Sequence, residues 1–419
     1  MNNEIVIKNA NININLYKKY KMFSYDFVFF YAIVVLYFTI TKGVSISQIM
    51  YLNGINSIFF IIFYFFLNSI VNKLNLKLSM VLGNFSLLIN ILIYILGNSF
   101  LSFVIGNIFF AFGFTLKNIS ESSVLYSSLK KINKVAEFSK IEGKANSKYY
   151  YYDACSSIIS GFLFIFNNYL PMILCFINIF ISFVISTKFH NVDTTDENEL
   201  FTIKDMLVET KEIFKSNRLK SLYLFSFLFT GIVTVSTTLY KAIILDIGIR
   251  DEYSTFIIFF VSIFVGIGAK KIFNVEKITK NKTLKILSIT YILALLGIGI
   301  IGIISKLNMY SLSFMFLLFT FIGFIQGAYR IALKKYILSF TTHKIRNKIT
   351  SIYYIFENLG TTILSFIVGI LLNYTSNSIA TVIFSIVSFA FINFVLYYMK
   401  EKLGLSPEKY SSVDLNKHL

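Results

Sequence analysis

Twelve apolar stretches, each close to the length that crosses a bilayer as a helix, run through this sequence. They fall at 22–41, 49–71, 79–97, 99–117, 149–169, 171–187, 221–240, 254–274, 285–304, 310–329, 350–373 and 378–399. A hydrocarbon core takes about 20 helical residues to span. Lipid offers no partner for a free N–H or C=O, so runs of this length must satisfy their backbone internally, as helices. The predicted fold class is all-α integral membrane. Hydrophobic residues make up 56% of the chain and charged residues only 14%, with a mean hydropathy of +0.70. A soluble fold of that composition could not cover its exterior with polar groups, which sets aside a soluble enzyme.

The net charge of +18 would suggest nucleic acid in a soluble chain. Here the placement of the charges matters more, and no nucleic-acid partner is expected. With the amino terminus inside, the outer loops hold only Lys42, Lys241, Arg250 and Lys306 of the 39 basic residues. The rest lie in inner loops, termini or their flanks, which places both termini in the cytoplasm. Residues 1–20 read as a polar lead carrying Lys8, Lys18 and Lys19. The longest inner connection, 190–220, begins with Asp193, Asp196, Glu197 and Glu199. It continues as an amphipathic helix with Ile203, Met206, Leu207, Ile213 and Phe214 on one face, suited to the membrane surface. Six spans precede this link and six follow. The predicted organisation is a bundle over 1–189, the link over 190–220, a second bundle over 221–400 and a tail over 401–419.

An internal repeat supports that division. Lys144, Ser147, Tyr149, Tyr150 and Asp153 recur in the same order and spacing as Lys348, Ser351, Tyr353, Tyr354 and Glu357. A period this long means two similar halves, the usual architecture of a membrane transporter.

Six spans, a cytoplasmic link and six more resemble the major facilitator superfamily over the whole chain. The family's signature between its second and third helices is Gly-x-x-x-Asp-Arg-x-Gly-Arg-Lys. That place here reads Asn68-Ser69-Ile70-Val71-Asn72-Lys73-Leu74-Asn75-Leu76-Lys77, with the basic residues kept and the glycines and aspartate replaced. Gly266 with Lys270 and Lys271 is a fainter echo in the second half. The connection with Ser120, Glu121, Tyr126, Leu129, Phe138-Ser139-Lys140 and Gly143 resembles the bacterial, efflux-like branch, as does Arg346-Asn347-Lys348-Ile349-Thr350-Ser351 before the eleventh helix. The glycine- and proline-rich end of the fifth helix found in drug/proton antiporters is missing, leaving Gly161 alone.

The resemblance implies twelve transmembrane helices in two six-helix pseudo-symmetric bundles, alternating access, and location in a bacterial inner membrane as a monomer. It implies an inner gate at Asn72, Lys73, Lys77 and Arg346. Ionisable residues inside spans cost at least about 2.5 kcal/mol near the bilayer centre, so each needs a reason. Asp26, Asp153, Arg330 and Glu357 are the candidates, and the family's architecture turns their helices toward a central cavity. Asn53, Asn56 and Asn107 add uncharged donors and acceptors. A carboxylate in a partly dry cavity suits proton coupling. Glu357 is expected to pair with Arg330 at the gate, and Asp153 and Asp26 to titrate. The bland alternative is that these groups snorkel to the interface and meet loop lysines.

Enzyme signatures are absent. There is no Gly-x-x-x-x-Gly-Lys phosphate loop, and His190, His343 and His418 are too scattered to bind metal. Cys155 and Cys175 lie in spans, which leaves no disulfide framework. No cofactor is expected; the expected partners are lipid, protons and a small-molecule substrate. The leading expectation is proton-driven export of a small amphipathic or cationic compound. The alternatives are proton-coupled nutrient uptake and a transport-dead sensor on the same fold. Reporter fusions after Asp196 and at the carboxyl terminus should both read cytoplasm; a periplasmic signal at the link would break the six-plus-six topology.

Overall fold

Apolar runs that find no partner in lipid for their backbone groups close their hydrogen bonds along a helix. The computed structural model has this character throughout, with no strand among the described residues. It describes residues 2–24, 26–71, 75–134, 137–191, 208, 211, 217–248, 251–279, 282–304, 309–339 and 346–402. The helices are α1 (Asn2–Ser24), α2 (Val34–Leu36, continued by a π turn at Tyr37–Thr41), α3 (Ile46–Val71), α4 (Leu76–Leu96), α5 (Phe100–Lys131), α6 (Phe138–Phe166) and α7 (Leu170–Thr187). They continue as α8 (Asn217–Asp246), α9 (Asp251–Thr279), α10 (Thr283–Ile303), α11 (Met309–Ser339), α12 (Arg346–Leu371) and α13 (Asn377–Lys402). Ten of these, α3 to α5 and α7 to α13, are long and apolar enough to cross a membrane. The chain is a multi-pass membrane protein.

Two of the twelve expected spans depart from that pattern. The first is not a continuous helix. The chain leaves α1 at Ser24 and turns through 26–33, where Phe29 takes a left-handed backbone with φ 72°. That conformation costs a side-chain-bearing residue roughly 1–2 kcal/mol. The fifth, in α6, is a helix, but Tyr149 to Tyr152 and Asp153 make its first turns too polar for that set of ten.

Other expectations need correction as well. Residues 2–20, expected as a polar lead, belong to α1, whose buried positions Ala10, Asn13, Ile14, Tyr17, Tyr20, Lys21 and Ser24 recur every three or four residues. That spacing makes one helix face, and the face packs on α5, α6 and α7. The charged connection from Ser120 is the continuation of α5, with Ser120, Glu121, Val124, Leu125 and Leu129 buried. Lys241, placed in an outer loop by charge counting, is buried within α8. The acidic run of the link, its five apolar face residues, Asn72, Lys73, Arg250, Lys306 and the tail beyond 402 lie outside the described residues.

The chain forms two units. The first comprises residues 1–37 and 62–203, the second 38–61 and 204–419. In the first, α4 packs on α5 and α7 around a core that includes Tyr17, Tyr20, Met80, Leu116, Leu125 and Phe189. In the second, α8 is the most buried of the spans and packs on α12 and α13. The first part of α3 belongs to this unit: Ser47 donates to the Gly369 carbonyl at 2.7 Å, and Asn373 to the Tyr51 hydroxyl at 3.0 Å.

Helices in lipid gain little from hydrophobic exclusion, so they associate by close backbone approach at small residues. The α8–α12 contact is of this kind. A Cβ on Gly231 would lie 2.9 Å from the Gly360 backbone. Gly231→Val should therefore destabilise the protein by about 1–3 kcal/mol, as overpacking does. Gly266→Ala, with nothing within 4 Å of the new carbon, should leave thermal unfolding of the purified protein in detergent unchanged.

Candidate functional site

Polar side chains buried in a membrane fold gather into two centres, one in each unit. In the second unit the centre is Glu357, half-buried on α12. One turn earlier on the same helix, Tyr353 donates its hydroxyl to Glu357 Oε1. Thr230 of α8 donates to the same oxygen at 2.9 Å. The close α8–α12 packing at Gly231 and Gly360 is what brings Thr230 within reach. Arg330, exposed on α11, is near enough to act on Glu357 electrostatically. Two further hydroxyls are close by. Ser226 is fully buried next to Glu357 and Tyr353, and Tyr329 is buried beside Arg330 and Thr230; neither makes a hydrogen bond of normal geometry.

A polar row runs along α8 from there. Thr230, Thr234, Thr237 and Lys241 are spaced by three or four residues and share one face. Gln326 of α11, buried, donates to Thr237 at 3.3 Å and to the Tyr291 hydroxyl at 3.2 Å, and Ser236 meets Tyr291 at 2.5 Å. Asn53 of α3 donates to Thr238 at 3.1 Å. Asn56, one turn further, keeps its buried Oδ1 without a partner.

In the first unit the centre is a set of buried charges where α1 stops. Lys117 of α5 is fully buried, and its ammonium donates to the Ser24 carbonyl at the end of α1. The last carbonyls of a helix have no partner within it and carry the negative end of its dipole, so a cation is favoured there. Glu121, one turn along α5, accepts from Lys21 and from the Ser24 hydroxyl at 3.1 Å, with Lys117 at 4.0 Å from its Oε1. Lys117 also sits 4.2 Å from the centre of the Phe114 ring. Asp26, in the break, lies within electrostatic reach of Lys117 and Tyr31. Around this set Asn84 donates to Tyr20, Ser182 donates to Asn84 at 2.9 Å, and Tyr17 donates to Glu142. Burial first, then Glu142 and Glu121, push the Tyr17 phenol far above the ordinary tyrosine range, so it stays a donor.

The other candidates are dispersed. Asn107 is buried on α5 and accepts from Tyr94 of α4. Asp153 is half-buried on α6 next to Tyr152, which packs on Phe23 and Phe29 at the break. Lys77 lies in the first turn of α4, where its backbone N–H is capped by Asn75 at 3.0 Å. Arg346 opens α12. Sequence reasoning missed Lys21, Lys117 and Glu121 because it closed a span at 117 and read what followed as connection. The i, i+4 pair Lys117 and Glu121 could have signalled one helix face. It also missed the threonine row, whose spacing was visible but whose neighbours were not.

Removing one member of a buried charge set leaves the others uncompensated, at a cost of about 3–5 kcal/mol. Glu121→Gln should therefore lower thermal stability in detergent far more than Glu137→Gln, whose partner Lys134 is exposed.

No protein-family profile matches this chain, and no curated protein does. Solved structures do. The chain is similar to the nucleoside transporter NupG (TM-score 0.72, 10% identity, covering 96% of this chain and 100% of that one). A variant of NupG matches with TM-score 0.71 and 11% identity, over 94% and 99% of the two chains. A POT family transporter in complex with a thioalcohol-conjugated peptide matches with TM-score 0.65 and 10% identity, over 95% and 96%. The fold is the major facilitator fold.

Proposed function

We propose that this protein is a secondary transporter working by alternating access, and that it takes up a small polar solute together with protons. The observation that carries the reading is Glu357: a carboxylate kept inside a bilayer-spanning helix, held by Thr230 and Tyr353 and facing Arg330. An acid in that setting is costly unless it works. The fold supports the reading, since its structural neighbours are a nucleoside transporter and a POT family transporter solved with a conjugated peptide.

The chemistry around Glu357 favours a hydrogen-bonding solute over an amphipathic cation. Thr230, Thr237, Gln326 and Asn53 offer paired donors and acceptors, which a nucleoside-like or peptide-like compound can use and a greasy cation cannot. We assign solute and proton handling in the second unit to Asn53, Asn56, Arg330 and Glu357, and in the first to Asp26, Asn107 and Asp153. Lys77 and Arg346, with Asn72 and Lys73, are assigned to the inner gate. The protein would reside in a bacterial inner membrane as a monomer with both termini in the cytoplasm.

Right-side-out membrane vesicles carrying the protein should accumulate labelled uridine or dialanine when the outside is made acid. A dissipated gradient should remove accumulation, and Glu357→Gln should reduce it at least tenfold. Expulsion of ethidium from energised cells, with neither probe taken up, would favour export instead.

A further inference from the structure

Glu357 is built to hold a proton as well as a charge. Thr230 and Tyr353 both donate to one carboxylate oxygen, Oε1. A carboxyl group whose carbonyl oxygen accepts two hydroxyl donors carries its proton on the other oxygen. That O–H then needs an acceptor. An ionised carboxylate has no such need, so a site meant only for the charged form would spend its nearby hydroxyls as donors.

The site keeps an acceptor in reserve. Ser226 is one turn before Thr230 on α8, on the face that meets α12. Its hydroxyl is fully buried next to Glu357 and Tyr353, without a bond of normal geometry. A buried hydroxyl without a partner is costly to a fold, and this one lies beside an acid. Tyr329 offers a second such hydroxyl from α11.

We propose that Glu357 is the proton-binding residue of this protein, with Oε2 carrying the proton and Ser226 Oγ accepting from it. In the loaded state Thr230 and Tyr353 keep their bonds to Oε1, and the Oε2 proton is donated to Ser226 Oγ. In the unloaded state the Ser226 hydroxyl turns about its own bond and donates instead. The groups that face Glu357 are Tyr353 from its own helix, Ser226 and Thr230 from α8, and Tyr329 and Arg330 from α11. Arg330 is the charged one among them. Sequence reasoning gave the titrating role to Asp153 and Asp26 and a fixed charge to Glu357; with Ser226 as acceptor, Glu357 takes a titrating role as well.

The inference rests on the proton-coupled reading but can be tested without a substrate. Infrared difference spectra of the purified protein in lipid, between neutral and acid buffer, read protonated carboxyl groups directly. The parent should show a carboxyl band that Glu357→Gln removes and that Glu137→Gln, at an exposed acid outside the site, retains. Ser226→Ala should keep the band but shift it to higher frequency, because the acid O–H has lost its acceptor, while Ser236→Ala leaves it in place. Circular dichroism and gel filtration would establish that each variant is folded; if Glu357→Gln does not fold, Glu357→Asp should displace the band. A band that survives Glu357→Gln, or is unmoved by Ser226→Ala, would overturn the proposal. If the spectra behave as expected while vesicle uptake ignores the gradient, the transport reading fails and the proton site stands.

Discussion

A helix that stops inside a membrane protein leaves carbonyls with nowhere to turn, and this structure depends on how that is met at Ser24. Water would hydrate the end of α1 in a soluble protein. Here the segment is packed on three sides, so Lys117 is brought in to donate to the carbonyl. That cation must then be balanced, which Glu121 does from the same helix, and Glu121 in turn holds Lys21 and Ser24. Each burial creates the next requirement. The result ties α1 to α5 by charge where apolar contact would hold it less specifically.

The second unit meets the same constraint with a different chemistry. Glu357 is held by hydroxyls, and the nearby cation, Arg330, is exposed. Charge pairing in the first unit locks its members together, since losing one strands the rest. Hydroxyls both donate and accept, so a carboxyl among them can change protonation without stranding a partner. The acids of the internal repeat, Asp153 and Glu357, thus stand in equivalent sequence positions but in unlike surroundings. Asp153 lies beside an aromatic contact at the helix break, while Glu357 lies in a hydroxyl cage.

Helix packing makes the second centre possible. Thr230 reaches Glu357 because α8 and α12 touch at Gly231 and Gly360, where the absence of side chains lets the backbones meet. Along the same helix Thr230 meets α12 and Thr237 meets α11. Gln326 then bridges to Thr237 and Tyr291.

The sequence by itself determined the membrane environment, the helical class and the presence of acids worth explaining. The reason is that lipid leaves the backbone one solution, so hydropathy alone identifies α3 to α5 and α7 to α13. It also carried the repeat that pairs Asp153 with Glu357. It did not reveal α1, because a helix that buries Asn13, Tyr17 and Lys21 against protein need not look apolar. Nor did it reveal the partners of Glu357. Thr230 is separated from it by more than a hundred residues, and Ser226 is one serine among many. Which hydroxyl meets which carboxylate is decided by the register of two helices, and that register is set by packing contacts that no local pattern encodes.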